Sequence, residues 1–352
     1  MSLTHLDYEQ CARRIAGALC FQPGESVLLK IDLRIFTEIV EPLRSEIRRA
    51  GAHVSGTIQA DDSREGSEAE LGSLRRLFKD ADVFIWLPEL HPGNTPAVRR
   101  ALDEWLDRKR GRSVHFHWAS GTYPLPGLAP PLAHFVDRTY LAALDVTVRN
   151  LDTVHERAIS LLRTAPVRIQ TPEGTDLTFS VGDRPFSKQT GDASPEAATT
   201  WTLRIDRDVE IPSGVLRVAP IETSANGKIF LPVWNHLDIA TSALLLTFEH
   251  GVVVDIQGPA GGAVDRALTE AGGAAKTFRE FALGFNPVLA INPTQPYIGY
   301  YGYGAGVVRL SLGDNLEMGG ANRGGGVYWN FITNATVTVG TKTLVQDGKL
   351  TI

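Results

Sequence analysis

The chain has 352 residues, a formal charge of −5, 43% hydrophobic residues and 21% charged ones. These proportions fit a globular protein and exclude a disordered or fibrous one. The slightly acidic balance gives no electrostatic basis for binding nucleic acid or an anionic membrane. No run approaches the ~18 apolar residues of a spanning helix. The start, MSLTHLDYEQCARR, lacks the basic-then-apolar order of a signal peptide, so a cytoplasmic location is expected. Cys11 and Cys20 are isolated and read as small core or helix residues rather than a disulfide or zinc framework.

In chain order, 7–20 places Tyr8, Cys11, Ile15, Ala18 and Leu19 on one helical stripe, ended by Gln22-Pro23-Gly24. ESVLLKID (25–32) reads as a buried strand, 36–50 as an amphipathic helix with a possible kink at Pro42, and AHVSGTIQ (52–59) as a second strand. A helix over 68–79, an apolar strand over 81–90, a helix over 95–110 and the strand SVHFHWAS (113–120) follow. Strand and helix alternate, so 1–150 is expected to be an α/β domain with a parallel sheet covered by helices. No GxGxxG follows the first strand, so this half is not read as a dinucleotide site. No cofactor is expected.

His115 and His117 fall on one face of their strand by period-two alternation. They read as a metal pair or as a strand end whose histidines bond nearby loop groups. The C-terminal end of such a strand faces the ligand crevice in open α/β sheets. His117, Ser120 and Tyr123 are therefore candidates for a site shared with the second domain.

After the Pro- and Gly-rich loop 121–134, a helix over 138–163 is expected to bridge the domains. From there the pattern changes. RIQTPEGTDLTFSVGDRPF (168–186) reads as a hairpin turning at Pro172-Glu173-Gly174. Strands are expected at 201–206, 214–219, 228–231, 243–249, 252–257, 307–312 and 335–352, with one helix at 262–275. Residues 151–352 are thus a β-rich α+β domain. In it His236 sits among Trp234, Asn235 and Asp238, while Tyr297, Tyr300, Tyr301 and Tyr303 crowd between glycines, as in an aromatic pocket wall or self-association surface. GGANRGGG (319–326) reads as a loop whose Arg323 could reach an acidic ligand.

Four blocks in this half carry a resemblance. Ile211-Pro212-Ser213-Gly214, Ala219-Pro220, Glu222-Thr223-Ser224 and Asn226-Gly227 come first, then LTFEHGVVVDI (246–256). Glu280, Ala282, Leu283, Gly284, Asn286 and Pro287 make the third block, and Gly313, Gly319 and Gly320 hold the last in register. In order and spacing the chain resembles the thermophilic metalloaminopeptidases of aminopeptidase T and S type, which include leucyl aminopeptidases. More distantly it is similar to the non-haem iron dioxygenases that open 2,5-dihydroxypyridine.

The resemblance implies a catalytic domain holding two divalent metals, whose bridging water cleaves an N-terminal amide. Two cations need several carboxylates and imidazoles, and together they acidify the water. At the corresponding ligand positions this sequence has Val215, Glu280, Arg309, Tyr328 and Asn330. Only Glu280 is retained, and a guanidinium stands where a cation is expected. The dioxygenase ligand set, a histidine at 280 and a histidine–x–aspartate at 328 and 330, is also missing.

The expectation is therefore a hydrolase-lineage protein without a metal site. Arg309 pairs with Glu280 and binds a substrate carboxylate or a developing oxyanion. Glu280 serves as general base, and Tyr328 and Asn330 donate hydrogen bonds. Trp329, His236, Tyr303 and His117 contribute to binding a small acidic or aromatic substrate. A retained structural ion pair is the plain reading of Glu280 and Arg309. Two alternatives stand beside this: a metal enzyme using other ligands such as His117 or His236, and a silent binding protein. The family's habit makes a homodimer the expected assembly.

Overall fold

The computed structural model describes residues 7–59, 68–89, 95–118 and 122–352. The chain folds as two compact units, one combining 1–120, 132–146 and 189–213, the other 121–131, 147–188 and 214–352. Instead of a single boundary near 150, the chain crosses between the units repeatedly, and 189–213 returns to complete the first.

The first unit is an α/β layer structure. Its five-stranded sheet runs in the order His53–Gln59, Ser26–Ile31, Val83–Trp86, Arg112–Phe116, Asp208–Ile211, with every neighbouring pair parallel. Helices lie at Tyr8–Leu19, Val40–Arg49, Glu68–Lys79, Pro96–Leu106 and Ala133–Ala143. Asp7 caps the first by accepting from the Gln10 amide at 2.8 Å, and Thr95 caps the fourth with Pro96 in its first turn. Pro42 lies in the first turn of its helix, where no interior bond is lost, so it causes no kink.

One core cluster joins Leu28, Phe84 and Trp86 of the sheet to Leu71, Leu74 and Phe78 and to Leu102 and Trp105 of two helices. Trp105 also donates from its indole to the Ala81 carbonyl at 3.0 Å. A side chain at Gly111 would meet the Trp105 ring at 2.0 Å, which is why glycine stands there. Cys11 is buried in the same unit, its thiol pushed up to about 12 by that burial, and Cys20 is exposed.

Two expected elements differ. The strand at 201–206 is instead a turn, because the Asp206 carboxylate accepts from the backbone N–H groups of Thr202 and Leu203 at 3.3 and 3.0 Å. The strand follows at Asp208–Ile211. The helix expected over 138–163 is two helices, Ala133–Ala143 and Val148–Leu162, the second started afresh by the Thr147 side chain.

The second unit is β-rich. An eight-stranded sheet runs Val252–Gln257, Ile239–Glu249, Asn226–His236, Asp176–Phe179, Val167–Gln170, Thr336–Val339, Lys342–Gln346, Lys349–Leu350. A second sheet runs Val327–Ile332, Val308–Gly313, Phe278–Gly284, Val215–Val218, Phe186–Gln189. The expected hairpin is present, with Gly174 N–H donating to the Thr171 carbonyl across its turn at 3.2 Å. Gly214 has φ +127°, and a Cβ there would lie 2.7 Å from the Asn286 Cβ, so the backbone demands glycine at the start of the Val215 strand. No described helix is long and apolar enough to cross a membrane.

Candidate functional site

Strand register builds the centre of the second unit. Glu280 lies opposite Ser311, and Ser311 opposite Trp329; Ala282 lies opposite both Arg309 and Arg217. Directly paired residues share a sheet face, so Glu280, Arg217, Arg309, Ser311, Trp329 and Phe331 stand on one side. Glu280 is wholly buried. One of its oxygens accepts from Arg217 Nε at 2.5 Å and Arg309 Nη2 at 2.9 Å; the other accepts from Arg279 Nη1 at 2.5 Å and Ser311 Oγ at 3.1 Å. Glu317 takes a second donor of Arg279 at 2.5 Å. Burial alone would raise the Glu280 pKa. The three guanidiniums overcome that and hold it far below the ordinary carboxylate value.

Arg309 is spent in this cluster and beside it. Its Nη1 donates to the Tyr301 carbonyl at 3.1 Å, and its guanidinium carbon lies 5.9 Å from the ring centres of both Tyr303 and Trp329. Tyr303 is fully buried. The fork expected to meet a substrate carboxylate is thus directed at Glu280, a backbone carbonyl and two rings. A carboxylate accepting four hydrogen bonds is also a poor proton acceptor. Sequence reading found Glu280 and Arg309 but missed Arg217 and Arg279. Their signal was present: arginine at the middle of the apolar strand runs VLRV and FREF demands a buried counter-charge.

Alternation separates the remaining candidates from this cluster. Tyr328 and Asn330 pair with Leu312 and Leu310, on the opposite face of the sheet from Glu280 and Arg309. Tyr328 packs near Trp234 and His236, with ring centres 6.0 and 5.6 Å apart, and burial raises its hydroxyl pKa. His236 Nε2 lies 2.8 Å from the Trp329 carbonyl. A carbonyl only accepts, so Nε2 carries the proton and Nδ1 keeps a lone pair. Burial lowers the His236 pKa, and the Trp329 bond partly offsets it.

A cavity of roughly 590 Å³ runs along the edge strand Val327–Ile332. Its aromatic wall is continuous: Tyr123 lies 4.9 Å from Phe331 and 6.0 Å from Tyr301, and Tyr301 lies 5.1 Å from Trp329, centre to centre. His236 and Asn330 also line it. Asn330 Nδ2 donates to the Tyr328 carbonyl at 3.2 Å, which fixes the amide orientation. Asn330 Oδ1 and Trp329 Nε1 are buried and have no hydrogen-bond partner among the described residues. Tyr301 adopts φ +37°, ψ +33°, a left-handed conformation rare for a bulky residue, and its carbonyl is the one held by Arg309.

His117 belongs to the parallel-sheet unit, Tyr123 to the other, and Ser120 lies outside the described residues. His115 and His117 are adjacent as expected, with ring centres 3.5 Å apart. Burial lowers both their pKa values well below the ordinary one, so both are neutral near pH 7.

No family model matches the chain, and no curated protein matches it. Among the solved structures it is similar to are two that match along essentially the whole length. One is 2,5-dihydroxypyridine dioxygenase from Pseudomonas putida KT2440, at 16% identity and TM-score 0.65, covering 99% of this chain and 98% of that one. The other is wild-type AmpT from Thermus thermophilus, at 18% identity and TM-score 0.67, covering 98% and 99%. The five-stranded parallel sheet and the β-rich second unit together make this chain a full-length example of the fold that these two proteins share.

Proposed function

We propose that this chain binds a small planar aromatic molecule in the cavity beside the Val327–Ile332 strand, and that paired-metal peptide hydrolysis is not its chemistry. The donor set does not fit two divalent ions. Of the five positions implied by the resemblance, only Glu280 carries a carboxylate, and its oxygens accept from three guanidiniums and a hydroxyl. Three positive charges already surround it, so a further cation there is electrostatically disfavoured.

The observation that carries the reading is the continuous aromatic wall of Tyr123, Phe331, Tyr301 and Trp329, in a cavity that His236 and Asn330 also line. Each ring stacked on the wall contributes about 0.5–1.5 kcal/mol. A planar ring carrying a polar substituent suits an aromatic wall with His236 and Asn330 among the cavity's lining residues. Hydroxypyridines are such molecules, and one of the two proteins of shared fold is named for a dihydroxypyridine. The aromatic half of the expected acidic-or-aromatic substrate is favoured because both terminal nitrogens of Arg309 already donate, Nη1 to the Tyr301 carbonyl and Nη2 to Glu280. His236 Nδ1 supplies a further acceptor, while Glu280 and Arg309 act as the frame beneath the wall.

Calorimetric titration with 2-hydroxypyridine and 2,5-dihydroxypyridine, against benzoate as the acidic comparison, tests this. One saturable site for a hydroxypyridine, weakened about tenfold or more in Asn330→Leu, is expected. Preference for benzoate, absence of saturable binding, or binding indifferent to Asn330→Leu refutes it. Metal-stimulated release of an N-terminal residue that depends on Glu280 refutes the second half.

A further inference from the structure

We propose a mononuclear transition-metal site in the parallel-sheet unit, built from His115, His117 and Glu210. Neighbouring-strand register assembles it. His115 lies directly opposite Glu210 on the adjacent parallel strand, and the His117 amide continues the ladder by donating to the Ile211 carbonyl at 2.7 Å. Residues 115 and 117 share a face by alternation, and Glu210 joins them through the pairing. One ligand atom from each of the three lies within 4.8 Å of the others, with His117 Nε2 3.9 Å from Glu210 Oε1. Metal–ligand bonds of about 2.0–2.1 Å place tetrahedral donors roughly 3.3 Å apart, so closure onto an ion takes shifts of about 1 Å.

The surroundings hold these ligands in place. The Trp86 ring lies flat on His115, 3.7 Å between centres and 4° between planes, and the Trp86 indole donates to Glu89. Gln189 accepts from the Glu210 amide at 3.1 Å, fixing that backbone. Two positive side chains act on His115, Lys30 and Arg99. Each has its own carboxylate: Lys30 pairs with Glu89, and Arg99 with Asp103 at 3.0 Å. The trio sits at the C-terminal ends of adjacent parallel strands, the end where open α/β sheets place ligands. Two imidazoles and one carboxylate suit zinc or ferrous iron rather than calcium or magnesium. Three protein ligands leave coordination positions open for water or a small ligand, as in reactive rather than structural centres. This site is independent of the cavity reading, since it uses none of its residues.

The test uses the full chain, stripped with a chelator and titrated with zinc, and with cobalt(II) as a spectroscopic stand-in. One equivalent of metal is expected, with cobalt(II) visible bands showing imidazole ligation. His117→Ala and the shape-conserving Glu210→Gln should each weaken uptake by a hundredfold or more, while His53→Ala on the surface leaves it unchanged. Circular dichroism of each variant establishes that it is folded, and His115→Gln replaces any that is not. Failure of the folded wild-type chain to take up a stoichiometric metal overturns the proposal. So does uptake that survives in both Glu210→Gln and whichever histidine variant folds.

Discussion

Replacing Glu280 by glutamine keeps the shape and one acceptor but removes the charge at the centre of the arginine cluster. In the wild-type chain three guanidiniums, of Arg217, Arg279 and Arg309, face two carboxylates, Glu280 and Glu317. The substitution leaves three facing one. The group is fully buried, so the usual surface discount does not apply, and removing one partner from a buried pair costs about 3–5 kcal/mol. At roughly 2–4 °C per kcal/mol for a domain of this size, the melting midpoint of the second unit should fall by roughly 6–20 °C, read by calorimetry. A second change, Arg309→Met in the same chain, restores the original charge difference and should recover part of that loss. Such recovery is the expected sign of coupling between neighbours. An E280Q chain that melts with the wild type, or a double variant whose losses simply add, would refute the view of Glu280 as the counter-ion on which the sheet centre depends.

Three further outcomes follow from single residues. His155 is buried with neither ring nitrogen hydrogen-bonded among the described residues, and its pKa is lowered by that burial from 6.5 to about 3. The unfolded chain therefore takes up a proton near pH 6.5 that the folded chain refuses, so this residue's stability term is complete above that pH. It should decline by about 1.4 kcal/mol per unit as pH falls toward 3; His155→Leu should flatten that slope in urea melts at pH 7 and pH 5 without lowering stability at pH 7. Glu280 has the same sign for a different reason. Its pKa is depressed by the arginines, so its contribution is present above the ordinary carboxylate value and is lost below it, and E280Q should lack that acid-limb loss in the same melts. Gly111→Ala forces a Cβ into the Trp105 ring and should cost about 1–3 kcal/mol in denaturant unfolding; an unchanged midpoint would show that the ring has room to move.

The α/β alternation of the first half was legible because helix and strand periods differ sharply, and its four consecutive strands fall where the apolar runs do. The fifth strand was not. Asp208–Ile211 lies beyond the first β-rich segments, and nothing local marks it as a partner of Arg112–Phe116. That same distance hid Glu210 from His115, since only parallel register brings them together. The blocks around Gly214 and Glu280 pointed to the fold that this chain shares with two solved structures at identities of 16% and 18%. Facing was harder. Tyr328 and Asn330 were grouped with Glu280 by motif position, but successive strand residues alternate between two faces. Only the pairing of Ser311 with Trp329 reveals which residues share the arginine side.

The hydrogen bond from Arg309 to the Tyr301 carbonyl ties the arginine cluster to the cavity rim. A tyrosine in an unfavourable backbone conformation has already surrendered its backbone freedom when the chain folds, so the guest proposed above would meet a rim whose backbone is set at Tyr301 beforehand. Affinity there can come from a modest number of contacts, because the entropic charge of shaping the receptor was settled earlier.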